Sequence, residues 1–194
     1  MRNSLLPEEV RYKLRHWEDG KKIDWFFNKR LSPWLIKGVD LQMKEKQFYV
    51  ALYLMLLTVD ILSGFYQGKR ANLGTFSAFM SRYFGDVLTR RATNPLYRRG
   101  IAPKGLNARQ RITFVEILWV SLRYGLAERC MVYPHVSLTE RSRYYCKCYK
   151  RVGLRLDIHT FYKDFVRACR EYGDNVYGDY FVRQRFIKRF DQLC

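Results

Sequence analysis

Residues 107–129 read NARQRITFVEILWVSLRYGLAER, and this stretch decides the fold that the sequence predicts. Its apolar side chains recur at the spacing of an α-helix, which places them along one buried stripe. Arg109, Glu116 and Arg123 lie seven residues apart and share a second, polar stripe. We therefore expect one long helix packed into a core, although an ordinary amphipathic helix without a catalytic role has the same pattern. The apolar stripe consists of Ile112, Val115, Leu118, Trp119, Leu122 and Leu126.

The chain is strongly basic. Among its 194 residues, 36 are Lys or Arg and 18 are Asp or Glu, which gives a formal net charge of +18. Arginine accounts for 23 of the basic residues, and its planar guanidinium suits phosphate groups and stacks on bases. The charge therefore favours a nucleic acid as the partner. An acidic protein or an anionic membrane surface would also match this charge.

Cysteine and histidine usage argues against a metal centre. The five cysteines form an odd number, and Cys146-Lys147-Cys148 is too closely spaced for the usual zinc motif. With three histidines in total, a site built from several of them is not expected, and we predict neither a metal nor a cofactor. The opening MRNSLLPEEVRYK has no apolar targeting core, so a reducing cytoplasm is the expected compartment.

The pattern of apolar residues predicts two units. Residues 1–40 form an aromatic-rich helical arm, and residues 41–194 form a helical domain with an extended or β excursion at about 129–156. The most hydrophobic run, residues 48–59, has twelve residues, whereas a bilayer span needs about 20. We therefore expect a core helix, no membrane span and an all-α fold class. Further helices are predicted for residues 74–84, for a segment capped by Asp157 and stopped by Gly173, and for a C-terminal segment with Val182, Phe186, Phe190 and Leu193 inward.

Two basic segments are candidates for nucleic-acid contact. Residues 90–104 are rich in turn residues and contain Arg98 and Arg99, which predicts either a solvated loop or one that grips phosphate. Residues 141–151 read RSRYYCKCYKR, and an extended conformation would place basic and tyrosine side chains on one face. The alternative is a hairpin whose charges protect its edge. The predicted face comprises Arg141, Arg143, Tyr145, Lys147, Tyr149 and Arg151.

The order of several segments resembles the HEPN superfamily (higher eukaryotes and prokaryotes nucleotide-binding). The segments are LTVDILSGFYQG, TFSAFMSRYF, LRYGLAE and DIHTFYKDFVRACREY, followed by a basic terminal helix, and they span roughly residues 45–192. The resemblance implies an all-helical HEPN-like bundle, commonly a homodimer. It also implies RNA cleavage or RNA binding in bacterial toxin–antitoxin, phage-defence or CRISPR-type systems.

The family motif is an arginine, a polar residue, three further residues and a histidine. Arg123 matches its arginine, but Tyr124 stands at the polar position and Glu128 stands where the histidine is expected. The family's chemistry is metal-independent: the ribose 2′-OH attacks its own phosphate, the arginine stabilises the developing charge and the histidine moves protons. Glutamate is a poor acid at neutral pH, and its charge repels the phosphodiester. His135 replaces the missing proton carrier only if the chain after the helix folds back.

Three hypotheses follow from these features. The first is a basic HEPN-like protein that binds RNA, carries a degenerate ribonuclease motif and belongs to a bacterial defence or toxin–antitoxin system. The second is an active metal-independent endoribonuclease that uses Arg123 with Glu128 or His135. The third is a dimeric protein-interaction module whose cationic surface meets an acidic partner. Because the expected histidine is replaced, the sequence favours the first.

Overall fold

A computed structural model describes residues 8–93, 111–120, 136–149 and 153–194. This part of the chain is mostly helical and carries two small β-sheets, in agreement with an all-α class interrupted by a short β excursion. The HEPN arrangement of the helices stays a prediction. The helices are α1 (Glu8–Arg15), α2 (Asp19–Asp24), a π-helical segment (Trp25–Ile36), α3 (Lys37–Lys44), α4 (Phe48–Gln67), α5 (Leu73–Tyr83), α6 (Phe114–Val120), α7 (Ile158–Gly178) and α8 (Tyr180–Leu193). The strands are β1 (Arg91–Thr93), β2 (Arg111–Thr113), β3 (Val136–Thr139), β4 (Cys146–Tyr149) and β5 (Gly153–Asp157).

Helix α4 lies at the centre of the bundle. It has 20 residues and is long and apolar enough to cross a membrane, so the length of the twelve-residue apolar run does not by itself argue against a span. Burial distinguishes a core helix from a membrane span better than length does, and 61% of the most apolar window of α4 lies inside the protein. Helices α3, α5, α7 and α8 all contact it. Its burial is therefore that of a core helix.

The end of α4 is fixed by a glycine. Gly68 has φ +64°, in the left-handed region that other residues rarely adopt. A Cβ at this position would lie 3.1 Å from the backbone oxygen of Arg185 on α8. The Arg185 Nε in turn donates a 2.9 Å hydrogen bond to the carbonyl oxygen of Tyr66. The chain therefore leaves α4 in close contact with α8.

The aromatic residues of the N-terminal arm are used for packing. Phe26 is buried against Phe65 of α4 and Phe186 of α8, with ring centroids 4.5 and 5.2 Å away. The buried Lys22 forms a 2.8 Å ion pair with Asp191 of α8. Helix α3 runs without interruption across residue 40, where the sequence suggests that the arm ends.

Residues 107–129 do not form one continuous helix. Residues Arg111–Thr113 form β2, which pairs antiparallel with β1, so α6 begins only at Phe114. Thr113 Oγ1 accepts a 3.1 Å hydrogen bond from the Glu116 N–H, and Glu116 Oε2 accepts one of 2.7 Å from the Thr113 N–H. This reciprocal arrangement is a capping box, which starts a helix at that point. Glu116 is therefore a capping residue rather than part of a long polar stripe.

The predicted apolar stripe is confirmed in part where the structure describes it, because its member Trp119 is only partly buried. Ile112, Val115 and Leu118 are buried, the first from a strand and the others from α6. The strand β1 also corrects the expectation that the basic connection begins as a loop, because residues 91–93 pair with β2. Arg109, Leu122, Arg123 and Leu126 lie outside the described residues.

Helix α5 agrees with the prediction for residues 74–84. Asn72 Oδ1 accepts a 3.0 Å hydrogen bond from the Thr75 N–H, and Thr75 Oγ1 accepts one of 2.8 Å from the Asn72 N–H. This second capping box fixes where the helix begins. Its residues Phe76, Phe79 and Met80 are buried, and so is Phe84 at its C-terminal end.

The C-terminal helices α7 and α8 pack on each other and on α4. Asp157 caps α7 as predicted, but the helix does not stop at Gly173 and continues to Gly178. One glycine in a helix costs only about 1 kcal/mol, and the burial of Val176 extends the apolar stripe beyond it. On α8, Val182, Phe186 and Phe190 are buried as expected, whereas Leu193 is exposed.

Candidate nucleic-acid interface

The β excursion forms a three-stranded sheet in the order β3–β5–β4. Strand β3 runs parallel to β5, and β4 runs antiparallel to it. Side chains directly opposite each other on neighbouring strands share a face, so the register defines an inner and an outer face. The inner face packs on the helical core through Val136, Leu138, Cys146, Leu154 and Leu156.

The outer face of this sheet is basic. Lys147 of the edge strand β4 lies directly opposite Arg155 of the central strand β5, and both side chains are exposed. Like charges in directly opposite positions repel each other and destabilise a sheet. Arg141 and Arg143, in the loop that leads into β4, are also exposed. We call Arg141, Arg143, Tyr144, Lys147 and Arg155 the basic face.

An exposed aromatic ring lies within the basic face. Lys147 Nζ is 4.8 Å from the ring centroid of Tyr144, and 55% of Tyr144 is exposed to solvent. A cation over an aromatic ring holds the ring in place while leaving its other side open. Tyr144 therefore presents an exposed ring beside cationic side chains, and proteins that bind single-stranded nucleic acids use this combination of groups.

Tyr145 corrects the predicted alternation. The sequence interpretation places Tyr145 on the same face as Lys147, but Tyr145 packs against the core and its hydroxyl is buried. Burial and the neighbouring Asp164 carboxylate raise the pKa of this hydroxyl. Regular alternation fails because β4 begins only at Cys146, so Tyr144 and Tyr145 lie in a bend where the two-residue period does not apply. The exposed ring is Tyr144 instead.

A buried carboxylate holds the loop before β4 in place. Asp157 Oδ1 caps α7 by accepting a 2.8 Å hydrogen bond from the Thr160 N–H. Its Oδ2 accepts a second bond of 2.8 Å from the Ser142 N–H. Burial opposes ionisation of Asp157, but the hydrogen bonds from Thr160 and Ser142 favour the charged form more strongly and lower its pKa. The loop that carries Arg141 and Arg143 is thereby fixed to a helix end.

Several predicted site residues lie outside the described ranges. These are the motif residues Arg123, Glu128 and His135 and the basic residues Arg98, Arg99 and Arg151. Tyr149 ends β4 opposite Gly153, but its side chain is also outside the described part of the structure. The roles predicted for these seven residues stay predictions.

Sequence interpretation missed two members of the basic face. Arg155 was not recognised because it lies on a different strand from the basic segment, and its pairing with Lys147 depends on the β4–β5 register. Strict alternation places Tyr144 on the opposite face, but the inward Tyr145 breaks this alternation. The sequence GLRLD at 153–157 does carry a signal, since its apolar residues alternate around one arginine.

The described residues contain no group of three or more His, Cys, Asp or Glu side chains that could hold a metal ion. His159 lies near the sheet, with its Nε2 atom 4.0 Å from Glu140 Oε2 and its ring against Phe48. The sheet thus offers exposed cations and an aromatic ring to a ligand. It is suited to binding a polyanion.

Comparisons of the chain with protein-family models, with curated proteins and with solved structures found no match.

Proposed function

We propose that this protein binds single-stranded RNA through the basic face of its β excursion. Phosphates contact Arg141, Arg143, Lys147 and Arg155, and a base stacks on Tyr144. The HEPN-like motif at Arg123 lacks its histidine, so the proposal assigns it no cleavage. Under this proposal the protein is the RNA-binding component of a bacterial defence or toxin–antitoxin system.

The observation that carries this proposal is the direct opposition of Lys147 and Arg155. Edge protection explains a lysine on β4, because an edge strand needs a charge to prevent pairing with another chain. It does not explain Arg155, since β5 is the central strand and both of its edges are already paired. A polyanion bound across the two strands contacts both of these exposed cations at once.

An RNA-binding measurement with matched charge variants tests the proposal. The double variant Lys147→Gln/Arg155→Gln removes two charges from the basic face, and Lys163→Gln/Arg170→Gln removes two exposed charges from α7. We expect Lys147→Gln/Arg155→Gln to weaken binding of labelled oligouridine by about tenfold or more. Hydrogen bonds that involve a charged group contribute more to binding than hydrogen bonds between neutral groups. Lys163→Gln/Arg170→Gln should leave the affinity within about threefold of the wild type. Equal losses in both variants would contradict a localised interface.

The ribonuclease alternative has its own test. Labelled RNA is incubated in EDTA with the wild type and with Arg123→Ala. We expect no cleavage by either protein, because Glu128 is a poor proton donor at neutral pH. Cleavage by the wild type that Arg123→Ala abolishes would establish a metal-independent ribonuclease and overturn the proposed absence of activity.

A further inference from the structure

A polar cleft, separate from the basic face, lies between α5, the turn that follows it and the ribbon formed by β1 and β2. It encloses about 750 Å³, within the range of roughly 300–1,000 Å³ that is typical of small-molecule sites. None of its lining residues belongs to the basic face. In the described part of the chain the cleft is lined by Ser77, Ser81, Thr89, Arg91, Arg111, Thr113, Val115 and Glu116.

The strand register brings two arginines to this cleft. Arg91 pairs with Thr113, and Arg111 lies two residues before Thr113 on the same strand. Residues directly opposite or two apart share a face, so both arginines project from the same side of the ribbon. They are diagonal neighbours, typically roughly 7–8 Å apart with their Cβ atoms somewhat closer, and from this spacing two guanidinium groups can converge on one anion.

The groups that face the cleft differ in whether they already have partners. Thr89 Oγ1 donates to the Asp86 carbonyl oxygen at 2.8 Å, and the Thr113 hydroxyl and Glu116 carboxylate form the capping box of α6. By contrast, neither Arg91 nor Arg111 has a carboxylate within 4.0 Å among the residues described. Glu116 opposes an anion electrostatically, but two arginines outweigh one carboxylate.

Helix α5 supplies neutral donors on the opposite wall. Ser77 and Ser81 are one helical turn apart, so their side chains project from the same side of α5. Each hydroxyl can donate one hydrogen bond. Two guanidinium groups with two hydroxyl donors match the several acceptor oxygens of a phosphate group.

We propose that this cleft binds a phosphate-bearing ligand of mononucleotide size. Arg91 and Arg111 hold the phosphate, and Ser77 and Ser81 donate to its remaining oxygens. The space exceeds that of a single phosphate ion and accommodates an attached nucleoside. The phosphate belongs either to a free nucleotide or to the terminus of an RNA strand. The second source is geometrically accessible because β1 contacts β4, next to the basic face.

Isothermal titration calorimetry with AMP, adenosine and inorganic phosphate tests the site on the full-length chain. We expect AMP to bind at least about tenfold more tightly than adenosine, because a pair of charge-assisted hydrogen bonds is lost without the phosphate. The variants Arg91→Gln and Arg111→Gln should each weaken AMP binding by about tenfold, with inorganic phosphate weakened in parallel. Arg170→Gln, an exposed arginine on α7, is the matched control and should bind AMP as the wild type does.

Three results would overturn the proposal: no binding of AMP, equal binding of AMP and adenosine, or unchanged AMP affinity in both Arg91→Gln and Arg111→Gln. Thermal melting of each variant identifies any loss of AMP affinity that comes from unfolding. A variant with a lowered melting temperature is replaced by Ser77→Ala/Ser81→Ala. The source of the phosphate is tested by competition in the Lys147→Gln/Arg155→Gln background, where the basic face is weakened. Displacement of AMP by 5′-phosphorylated RNA, but not by 5′-hydroxyl RNA, supports an RNA terminus, and displacement by neither supports a free nucleotide.

Discussion

The backbone N–H of Ser142 donates a 2.8 Å hydrogen bond to the carboxylate of Asp157, fifteen residues further along the chain. The same carboxylate caps α7 through Thr160, and it is 4% exposed. One buried group therefore connects the loop of the basic face to the start of a core helix. The position of Arg141 and Arg143 depends on it.

Replacing Asp157 should destabilise the protein more than the loss of an ordinary helix cap. We expect Asp157→Ala to lower the free energy of unfolding by about 2 kcal/mol or more, since a cap contributes about 1 kcal/mol and the Ser142 N–H is left without its acceptor. Urea unfolding measures the change. Asp179→Ala is the control, because Asp179 caps α8 from an exposed position and should cost about 1 kcal/mol. Equal losses would show that the bond to Ser142 adds nothing.

The same carboxylate predicts a pH dependence of stability. The pKa of Asp157 is lowered from its ordinary 3.8, so the unfolded state takes up the proton more readily than the folded state. Its contribution is therefore complete above the ordinary pKa and is lost as the pH falls through the folded-state pKa. We expect the stability difference between the wild type and Asp157→Asn to be constant above about pH 5 and to shrink in more acidic buffer. A difference that grows on acidification would contradict this sign.

Tyr144 and Tyr145 should differ in their effect on RNA binding. Because Tyr144 is exposed beside Lys147, we expect Tyr144→Ala to weaken binding of single-stranded RNA by about 1–3 kcal/mol, the usual contribution of one stacked base. Tyr145→Phe removes a buried hydroxyl and should leave the affinity unchanged. Fluorescence anisotropy with labelled oligouridine measures both. A larger loss of affinity in Tyr145→Phe than in Tyr144→Ala would indicate that Tyr145, and not Tyr144, contacts RNA, as strict alternation along the sequence predicts.

The capping box at the start of α6 should contribute to stability. Thr113→Ala removes a hydroxyl that accepts from the Glu116 N–H and donates to the Glu116 carboxylate. We expect a loss of about 1 kcal/mol in the free energy of unfolding, typical of an N-cap residue. Ser81→Ala, an exposed position in the last turn of α5, should leave stability within about 0.5 kcal/mol of the wild type. If Thr113→Ala were as stable as Ser81→Ala, the capping box would not stabilise the fold.

Periodicity predicted the helices with large apolar faces, because the buried stripe of α5 and the long run in α4 are local properties of the sequence. It failed where a contact between residues distant in sequence competes with periodicity. Residues 111–113 continue a helical pattern but form a strand, since the pairing partner at residues 91–93 is distant in sequence. The signal that marks the boundary is Thr113-Phe114-Val115-Glu116, which has the form of a capping box.

The candidate interface was predicted only in part, for a related reason. Basic residues are clustered in the sequence of residues 141–151, and this clustering is sufficient to predict the exposed Arg141, Arg143 and Lys147. The opposition of Lys147 and Arg155 and the inward turn of Tyr145 require the register and the start of β4, which composition does not specify. The cleft with Arg91 and Arg111 depends in the same way on strand pairing.

The salt dependence of RNA binding tests the central claim most directly. For single-stranded RNA, a plot of the logarithm of the association constant against the logarithm of the salt concentration has a slope of about −0.7 for each phosphate that the protein neutralises. The account predicts a steep slope for the wild type that becomes shallower by about 1.4 in Lys147→Gln/Arg155→Gln, because two phosphate contacts are removed. A wild-type slope near zero, or one that the double variant leaves unchanged, would contradict the claim that phosphates bind across β4 and β5.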